Sequence, residues 1–332
     1  MRLISVFLFF ASLVVAQGPR IGIIDFYGLR KVSEAKVRKA LGVREGDPLP
    51  RSKGDAEERI DAVPGVVESH LEAVCCDAGK MILYVGIEEK GAIHFDLREP
   101  PEEDVVLPEE ITSTYRRFME NLEAAIRRGE SGDDVTHGHS LVSNPEARAV
   151  QEQFIPLAKD HLAELRNVLR NSSDEEQRAT AAYVIGYAPK KREILDDLQY
   201  ALKDPDSGVR NNAARNLVAL AVLARLDPES GLKIEPTWFI EMLNSLSWTD
   251  RNKALWALQT LTDKRDPSVL EQLRDRALPA LIEMARWKSL GHALPAYMLL
   301  GRIAGLPEQQ LLDGWNRGDR DFVIAAVTAK KK

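Results

Sequence analysis

The residue types that could do chemistry cluster in one polar stretch, Asp133–His139, which reads DDVTHGH. Two histidines, His137 and His139, stand one residue apart near the carboxylates of Asp133 and Asp134, and such groups can bind a transition metal. A structural metal site needs four ligands, and a catalytic site needs an open position with supporting groups around the ligands. The glycines in and beside the stretch predict a solvated loop, so we expect no metal or cofactor here. A metal-dependent enzyme that uses His137, His139 and one of the aspartates is the alternative.

Other motifs of catalysis and cofactor binding are absent from the sequence. It contains no Gly-x-Ser-x-Gly nucleophile elbow, no phosphate-binding P-loop, no His-Glu-x-x-His motif and no Gly-x-Gly-x-x-Gly turn. Pairs of carboxylates are plentiful, but a chain with 29% charged residues contains such pairs by chance. We therefore predict a protein that is not an enzyme and that carries no cofactor.

Cys75 and Cys76 are the only cysteines, and they are adjacent. On a strand their side chains would point to opposite faces, which favours one core thiol and one half-exposed thiol. A disulfide bond between the two neighbours is the alternative in an oxidising compartment, although it requires strained geometry. A redox-active pair is less favoured still, because the Cys-x-x-Cys spacing is missing.

Composition and charge indicate an acidic globular protein. The 332 residues are 44% apolar with a formal net charge of −6, and the isoelectric point is near 5.7. This length allows two or three domains. General nucleic-acid binding needs a basic surface, and binding of single strands needs aromatic platforms, whereas aromatic residues make up only 6% of this chain. We therefore expect no nucleic-acid partner.

Residues 1–16 have the pattern of a secretory signal peptide. Met1-Arg2 supplies a minimal positive charge, residues 3–15 form an apolar run, and small residues precede a cleavage position after Ala16. The run is shorter than the roughly 20 residues that a membrane-spanning helix needs. We expect a periplasmic or secreted protein with no stable membrane insertion after cleavage. An uncleaved anchor is the alternative.

The first folded domain is predicted over residues 19–90, with the order β-α-α-β-β. Alternating apolar residues indicate a strand at 20–27 that ends at a glycine. Two short amphipathic helices follow, each closed by glycine or by proline and glycine. Residues 66–74 and 81–87 are typical of two further strands, which a turn at 77–79 joins.

This order and its punctuation resemble a POTRA domain. The matching residues run through the whole segment: Ile21, Ile23, Gly28, Val32-Ser33, Val37, Leu41, Gly46-Asp47, Leu49, Val63-Pro64-Gly65-Val66, Leu83, Val85, Ile87 and Glu88. The resemblance implies a place on the export machinery or division proteins of double-membrane bacteria, and it implies the capture of client strands at an exposed sheet edge. Gly86 departs from the pattern and predicts a loosened edge or a bulge.

The physics of a small sheet favours the same role. A three-stranded sheet that helices cover on one side leaves edge N–H and C=O groups unpaired, and such an edge is a template for strand addition. We expect the strand that carries Met81, Leu83, Val85 and Ile87 to bind a partner in this way. The alternative is a packing module whose sheet edges are blunted.

A boundary follows the small domain. Residues 91–108 are acidic and rich in proline, which is typical of a linker. Residues 109–171 predict two helices, one with an apolar face from Ile111 to Ala125 and one long helix from about Pro145 to Asn171. We expect these helices to form an antiparallel hairpin that caps a helical stack. His161 lies on the apolar stripe and is expected to be a hydrogen-bonded core residue.

The stretch 204–217, DPDSGVRNNAARNL, combines a helix stop, a helix start and an apolar stripe. The residues expected to build this repeat unit are Asp206, Val209, Arg210, Ala213, Ala214 and Leu217. Asp206 is expected to cap the helix and to pair with Arg210. The arginine recurs as Arg178 and Arg251 with small and apolar residues at the same offsets, and a weaker copy starts at His292. The spacing of about 32 to 41 residues is typical of helical-pair repeats.

These copies resemble HEAT repeats, whose first helix opens Asp-x-x-Val-Arg and continues to small residues and leucine. The resemblance covers residues 172–332 and implies an all-α, right-handed solenoid of stacked helical pairs. All five tryptophans lie in this half of the chain. Most of them are expected to fill gaps between helices, and Trp238, Trp248 and Trp256 are the candidate anchors for a protein partner.

Two binding architectures in one exported chain favour a non-catalytic scaffold of the bacterial cell envelope. In this hypothesis the small domain captures a strand of a client, and the solenoid binds a second protein, such as a component of the outer membrane or of the export machinery. A purely structural envelope protein, in which both domains only pack, remains as an alternative beside the metal-dependent enzyme.

Overall fold

The structure is a computed structural model that describes residues 19–130 and 132–329, apart from the side chain of Cys76. The predicted signal peptide, residues 1–16, lies outside the described residues. A small N-terminal sheet domain is followed by a helical-repeat region.

The small domain has the predicted order β-α-α-β-β. Its elements are β1 (Ile21–Tyr27), α1 (Glu34–Leu41), α2 (Lys53–Asp61), β2 (Val66–Asp77) and β3 (Lys80–Glu89). Local sequence explains two of the boundaries. Gly42 closes α1 in the left-handed conformation, with a φ of 76°. The Ser52 hydroxyl accepts a hydrogen bond from the Asp55 N–H at the start of α2. The likeness of this domain to POTRA domains stays a prediction.

β3 is the central strand of the sheet, whose order is β1-β3-β2. It pairs in parallel with β1 and antiparallel with β2. The sheet itself therefore uses the backbone groups on both sides of β3. The prediction that the strand of Met81, Leu83, Val85 and Ile87 accepts an added strand is wrong, because the last strand of the small domain inserts between the first two.

Both faces of the sheet are covered. On one face, α1 and α2 enclose a core that contains Ile21, Ile24, Val37, Leu41, Ile60, Leu83 and Val85. The other face carries Tyr27, Ile82 and Tyr84 into the core of the helical region. Gly86 lies where the two regions touch, since a Cβ atom there would come within 2.4 Å of the Leu246 carbonyl oxygen. Gly86 thus permits a close approach, and it marks neither a loosened edge nor a bulge because β3 pairs regularly at this residue.

Residues 91–108 do not form a free linker. The segment runs along the helical region with the Phe95 ring buried. The Arg98 N–H donates to the Lys203 carbonyl at 2.8 Å, and the Arg98 guanidinium stacks 3.3 Å from the centroid of the Tyr200 ring. The segment therefore fastens the small domain to the repeats.

In the described part of the chain, the hairpin predicted over 109–171 is instead a set of helices with a small β-ribbon. The elements are α3 (Glu109–Arg127), β4 (Asp133–Asp134), β5 (Leu141–Val142), α4 (Pro145–Gln151), α5 (Phe154–Asp160) and α6 (Leu162–Asn171). The single long helix is wrong, because Pro156 lacks the N–H that would bond to the Glu152 carbonyl. A second break falls at His161, which is partly exposed and contacts the Glu110 carboxylate at 2.7 Å instead of joining the core.

The repeats stack through their first helices. These are α7 (Glu175–Val184), α9 (Ser207–Leu226), α11 (Trp248–Leu261) and α13 (Leu290–Ile303), and the second helices are α8 (Leu195–Ala201), α10 (Thr237–Met242) and α12 (Pro267–Ala285). The last two described helices are α14 (Glu308–Asn316) and α15 (Asp321–Thr328). α7 packs on α9, α9 on α11 and α11 on α13, so the weak copy that starts at His292 belongs to the same stack. The right-handed sense of the stack stays a prediction.

The residues predicted to build the repeat unit occupy the expected places. The four apolar ones are buried: Val209, Ala213, Ala214 and Leu217. The Asp206 carboxylate caps α9 by accepting a hydrogen bond from the Val209 N–H at 2.9 Å. No helix in the described part of the chain is both long enough and apolar enough to cross a bilayer.

The predicted pairing of Arg210 with Asp206 is wrong. The Arg210 guanidinium bonds instead to Asp250 of the next repeat, with Nε 3.0 Å from each carboxylate oxygen. Arg178 bonds in the same manner to Asp204, with two contacts of 3.0 Å. These buried ion pairs join successive repeats, because the arginine is long enough to reach past its own helix start.

Candidate protein-binding face

The three candidate tryptophans lie in different surroundings. Trp248, at the start of α11, is 7% exposed and stacks on Tyr84 of the small domain with ring centroids 4.8 Å apart. Trp238 of α10 is partly buried, and the Lys203 ammonium lies 4.7 Å from its ring centroid. Trp256 of α11 is 50% exposed. The three residues do not form one site, and Trp256 is the one that presents a large aromatic surface to solvent.

Trp256 occupies a position that recurs in each first helix. It lies five residues after the arginine position that defines the repeat. Because equivalent positions of stacked repeats lie on one side of the stack, the same offset defines a continuous surface. We call this surface the repeat face, and its members are Tyr183 in α7, Arg215 in α9, Trp256 in α11 and Tyr297 in α13.

The N-terminal helices cover the repeat face at α7. Tyr183 is 5% exposed. Its ring centroid lies 5.4 Å from those of Tyr115 and Phe118 on α3, and 5.7 Å from that of Phe154 on α5. An aromatic cluster therefore seals this position.

The C-terminal helices cover the repeat face at α13. Tyr297 is fully buried, with the Trp315 ring of α14 at 5.1 Å between centroids. The Tyr297 hydroxyl donates to the Leu311 carbonyl at 3.0 Å. Gly314 allows this approach, because a Cβ atom there would lie 2.5 Å from the Tyr297 hydroxyl.

The β4–β5 ribbon covers the repeat face at α9. Arg215 forms an ion pair with Asp133 and donates to the Ser140 hydroxyl at 3.0 Å. The Ser140 carbonyl accepts from the Tyr187 hydroxyl at 2.9 Å, and that hydroxyl accepts from the Gln151 amide at 2.7 Å. These bonds hold the ribbon on the repeats.

At α11 the repeat face is open. Lys253 lies one helical turn before Trp256, at a spacing that puts both side chains on one side of the helix. The Lys253 side chain is partly buried, and no carboxylate of the described residues lies within ion-pair distance of its ammonium. Burial lowers the pKa of Lys253 to about 8, the charge of Arg215 adds to this effect, and Asp133 opposes it. We call Lys253 and Trp256 the open face; Arg215, which the ribbon covers, borders it.

The small domain fixes the start of the helix that carries the open face. The N-cap residue of α11, Ser247, makes no side-chain cap, and Glu72 of β2 takes that role. Its carboxylate accepts from the Thr249 N–H at 3.1 Å and from the hydroxyls of Ser247 and Thr249 at 2.6 Å. Burial alone would raise the pKa of Glu72, but hydrogen bonds from His70, Ser247 and Thr249 outweigh burial and lower it to about 2. A carboxylate that stays ionised suits a helix N-terminus.

A second group of contacts joins the two regions beside α11. The Tyr27 hydroxyl donates to the Leu246 carbonyl at 2.7 Å, and the Arg251 guanidinium lies 4.4 Å from the centroid of the Tyr27 ring. Glu283 of α12 accepts from the Gly28 N–H at 3.2 Å and lies 3.7 Å from Arg251. Aromatic, cation–π and charge contacts therefore hold the sheet on the repeats.

The residues of the alternative metal site do not converge. Asp133 is held in its ion pair, and Asp134 lies 3.6 Å from the exposed His137 ring. His139 lies beside Lys191, with 3.3 Å between Nδ1 and the ammonium. Burial, together with the charge of Lys191, lowers the pKa of His139 to about 4. No three metal-ligating side chains come together within residues 19–130 and 132–329.

The two edges of the sheet are β1 and β2, and both carry blocking contacts. The N–H and the carbonyl of Ile21 in β1 bond to the loop before α2, and the Lys288 ammonium donates to the Ile24 carbonyl at 2.6 Å. On β2 the Glu57 carboxylate accepts from the Leu71 N–H at 2.7 Å. Such contacts compete with an added strand.

Cys75 lies exposed near the end of β2 and is disulfide-bonded. The interpretation of Cys75 as a free thiol is therefore wrong. The strand pairing shifts register between Val74 and Asp77, so the simple alternation of faces that supported that interpretation does not hold there.

Comparison with known proteins supports the repeat architecture. Residues 162–231, from α6 to the segment that follows α9, match the family of HEAT repeats. HEAT repeats generally mediate contacts between proteins, which is consistent with a scaffold. No curated protein matches the chain.

Sequence reasoning found Trp256 but missed its neighbours. When the copies are aligned on their arginine position, one equivalent position holds Thr180, Asn212, Lys253 and Leu294. Lys253 is the single charged residue among the four, and this difference is the signal that could have identified it. Glu72 carries no comparable signal, because its contact with Ser247 spans 175 residues of sequence.

Proposed function

We propose that this protein is a non-catalytic scaffold, exported to the cell envelope, that binds a protein partner through the open face. The observation that carries the proposal is the exposure of Trp256 at a position which the chain covers with its own elements in the other described repeats. Large aromatic side chains are enriched at the centres of protein interfaces. The match to HEAT repeats supports the same function.

In this proposal the small domain has a supporting role. It caps α11 through Glu72 and stacks on Trp248, so the start of the helix that carries Trp256 is held in place by the protein itself. Preorganisation of this kind lowers the entropic cost of association. The resemblance to POTRA domains supports a location in the periplasm, near outer-membrane or export machinery. A second contact by strand addition would use the β2 edge, where Val67 is exposed, and would require Glu57 to release the Leu71 N–H.

The test of partner binding is affinity capture from a cell-envelope extract, with the chain from Gln17 as bait and quantitative mass spectrometry as readout. We expect Trp256→Ala to reduce the recovery of a specific partner by about tenfold or more, because a central aromatic anchor contributes roughly 2 kcal/mol to binding. Leu290→Ala is the matched control, since Leu290 is 59% exposed and lies outside the open face. Equal recovery by all three baits would contradict the proposal.

The export part of the proposal rests on the pattern of residues 1–16. N-terminal sequencing of the protein from the cells that make it is expected to start at Gln17. A chain that retains Met1 and fractionates with the cytoplasm would contradict export, while leaving the binding face as a separate question.

A further inference from the structure

The repeat face is covered by a β-ribbon at Arg215, but by helices at the two positions that carry an aromatic residue. α3 and α5 lay aromatic rings on Tyr183, and α14 lays Trp315 on Tyr297. In both places amphipathic helices pack apolar side chains on an aromatic residue of a first helix. Trp256 is the equivalent aromatic residue in α11. The open face therefore offers a helix the same kind of packing surface.

The charged residues at the open face indicate the chemistry of the partner segment that would cover it. Asp133 is bonded to Arg215, and the ammonium of Lys253 stands nearby without a carboxylate of its own among the described residues. A partly buried charge without a partner is unfavourable, and a carboxylate that arrives with another protein would compensate it. The open face therefore favours an acidic partner over a basic one.

We infer that the partner required by the proposed function presents an acidic amphipathic helix to the open face. An apolar side chain of this helix packs on the Trp256 indole, and a carboxylate one turn away, at i+3 or i+4, meets the Lys253 ammonium. Lys253 and Trp256 are themselves one turn apart on α11. The two features thus have matching spacing on the two helices.

The experiment places a photoreactive phenylalanine analogue at position 256 of the full chain in the cells that make the protein. Mass spectrometry of the crosslinked peptide then identifies the residue in contact. We expect an apolar residue with Asp or Glu three or four positions away, in a segment with helical periodicity.

Charge variants in the same crosslinking strain test the second contact. Lys253→Glu and Lys253→Gln are expected to reduce the crosslink by about tenfold, and Lys253→Arg to keep it within about twofold, because only the charge is needed. Lys159→Glu, an exposed change on α5, is the matched control and is expected to have no effect. The Lys253→Gln variant controls for an effect of added negative charge on folding. In a separate test, changing the partner carboxylate to lysine is expected to restore the crosslink to the Lys253→Glu variant.

The outcomes separate the inference from the proposed function. A crosslink to a strand-like or basic segment, or one that Lys253→Glu and Lys253→Gln leave unchanged, overturns the acidic helix but retains the binding face. The absence of any crosslink at position 256, while envelope proteins are still captured by the bait, overturns both the inference and the role of Trp256.

Discussion

Individual charged residues in this protein differ in effect because burial decides how strongly each is coupled to its partner. Arg210 and Asp250 are buried and bonded to each other, whereas Arg225 and Asp263 form a pair of similar length, 2.8 Å, at the surface. Removing one member of a buried pair leaves an uncompensated charge, while water replaces a lost surface partner. The two pairs therefore offer a direct comparison.

Arg210→Met is expected to lower the free energy of unfolding by about 3–5 kcal/mol, because Asp250 would stay buried without its partner. Arg225→Met is the matched control and is expected to cost at most about 1 kcal/mol. Urea denaturation followed by circular dichroism measures both. Similar losses in the two variants would show that the buried pair does not join the repeats.

Glu72 gives a prediction for acid stability. Its pKa in the folded protein, about 2, lies below the value of 4.5 for an unperturbed Glu, so the unfolded state binds more protons between these values. The stabilisation of about 3 kcal/mol is present above pH 4.5 and is lost as the pH falls towards 2. Glu72→Gln is expected to destabilise the protein at pH 7 and to flatten the dependence of the urea midpoint on pH in this window.

Glu68→Gln is the control for Glu72, since Glu68 lies exposed on the same strand. It should behave like the native chain at every pH. A Glu72→Gln variant that loses stability with the native slope would mean that the carboxylate does not cap α11.

For single residues, the sequence predicts the structural role better than it predicts the side-chain bonding partner. Asp206 and the apolar residues of the repeat unit could be assigned from helix-capping and periodicity rules, because those rules act over a few neighbouring residues. Local rules pair Arg210 with the wrong carboxylate, because its true partner, Asp250, lies 40 residues away. The role of Lys253 could not be predicted from neighbouring residues, because it depends on which part of the repeat face the other elements leave uncovered.

Local sequence signals predict where each helix and strand lies along the chain, but they do not predict which elements pack against each other. The order of strands and helices in the small domain and the first helices of the repeats follow from alternation, helical periodicity and breakers. The central position of β3 could not be read in this way, since no local feature distinguishes a middle strand from an edge strand in a short sheet. The broken helix after Pro145 could have been predicted, because Pro156 stands inside it.

Gly86 tests the contact between the sheet and the repeats. Gly86→Ala is expected to lower the free energy of unfolding by about 1–3 kcal/mol, because the new methyl group would press on the Leu246 carbonyl and the Tyr27 ring. Gly54→Ala is the control: its Cβ would meet nothing within 4 Å, and alanine at this exposed position of α2 is expected to stabilise by up to about 1 kcal/mol. Thermal unfolding of both variants measures the difference. A harmless Gly86→Ala would contradict the close docking.

For the whole molecule, the composition of residues 91–108 predicted a linker because acidic and proline-rich stretches are commonly free. In the structure this segment is fastened by Phe95 and Arg98, and the sheet shares a core with the repeats. The sequence therefore indicated the two regions but not that they form one body. Single aromatic residues such as Tyr84 make the contacts between the two regions, and their partners are distant in sequence.

The docked segment gives a prediction that proteolysis can test. Phe95→Ser is expected to raise the rate of cleavage within residues 91–108 by about tenfold or more, because the buried ring holds the segment down and local opening governs cleavage. Leu97→Ser is the control, as Leu97 is exposed in the same segment. Equal cleavage of both variants and the native chain would mean that the segment is held by other contacts.

The most direct test of the binding face is hydroxyl-radical footprinting of the five tryptophans in the purified chain, alone and with the partner recovered by capture. In the free chain Trp256 is expected to react faster than the buried Trp248 and Trp287. With the partner bound, Trp256 is expected to become protected while Trp238 and Trp315 keep their rates. A partner that binds and leaves the reactivity of Trp256 unchanged would contradict the assignment of function to the open face.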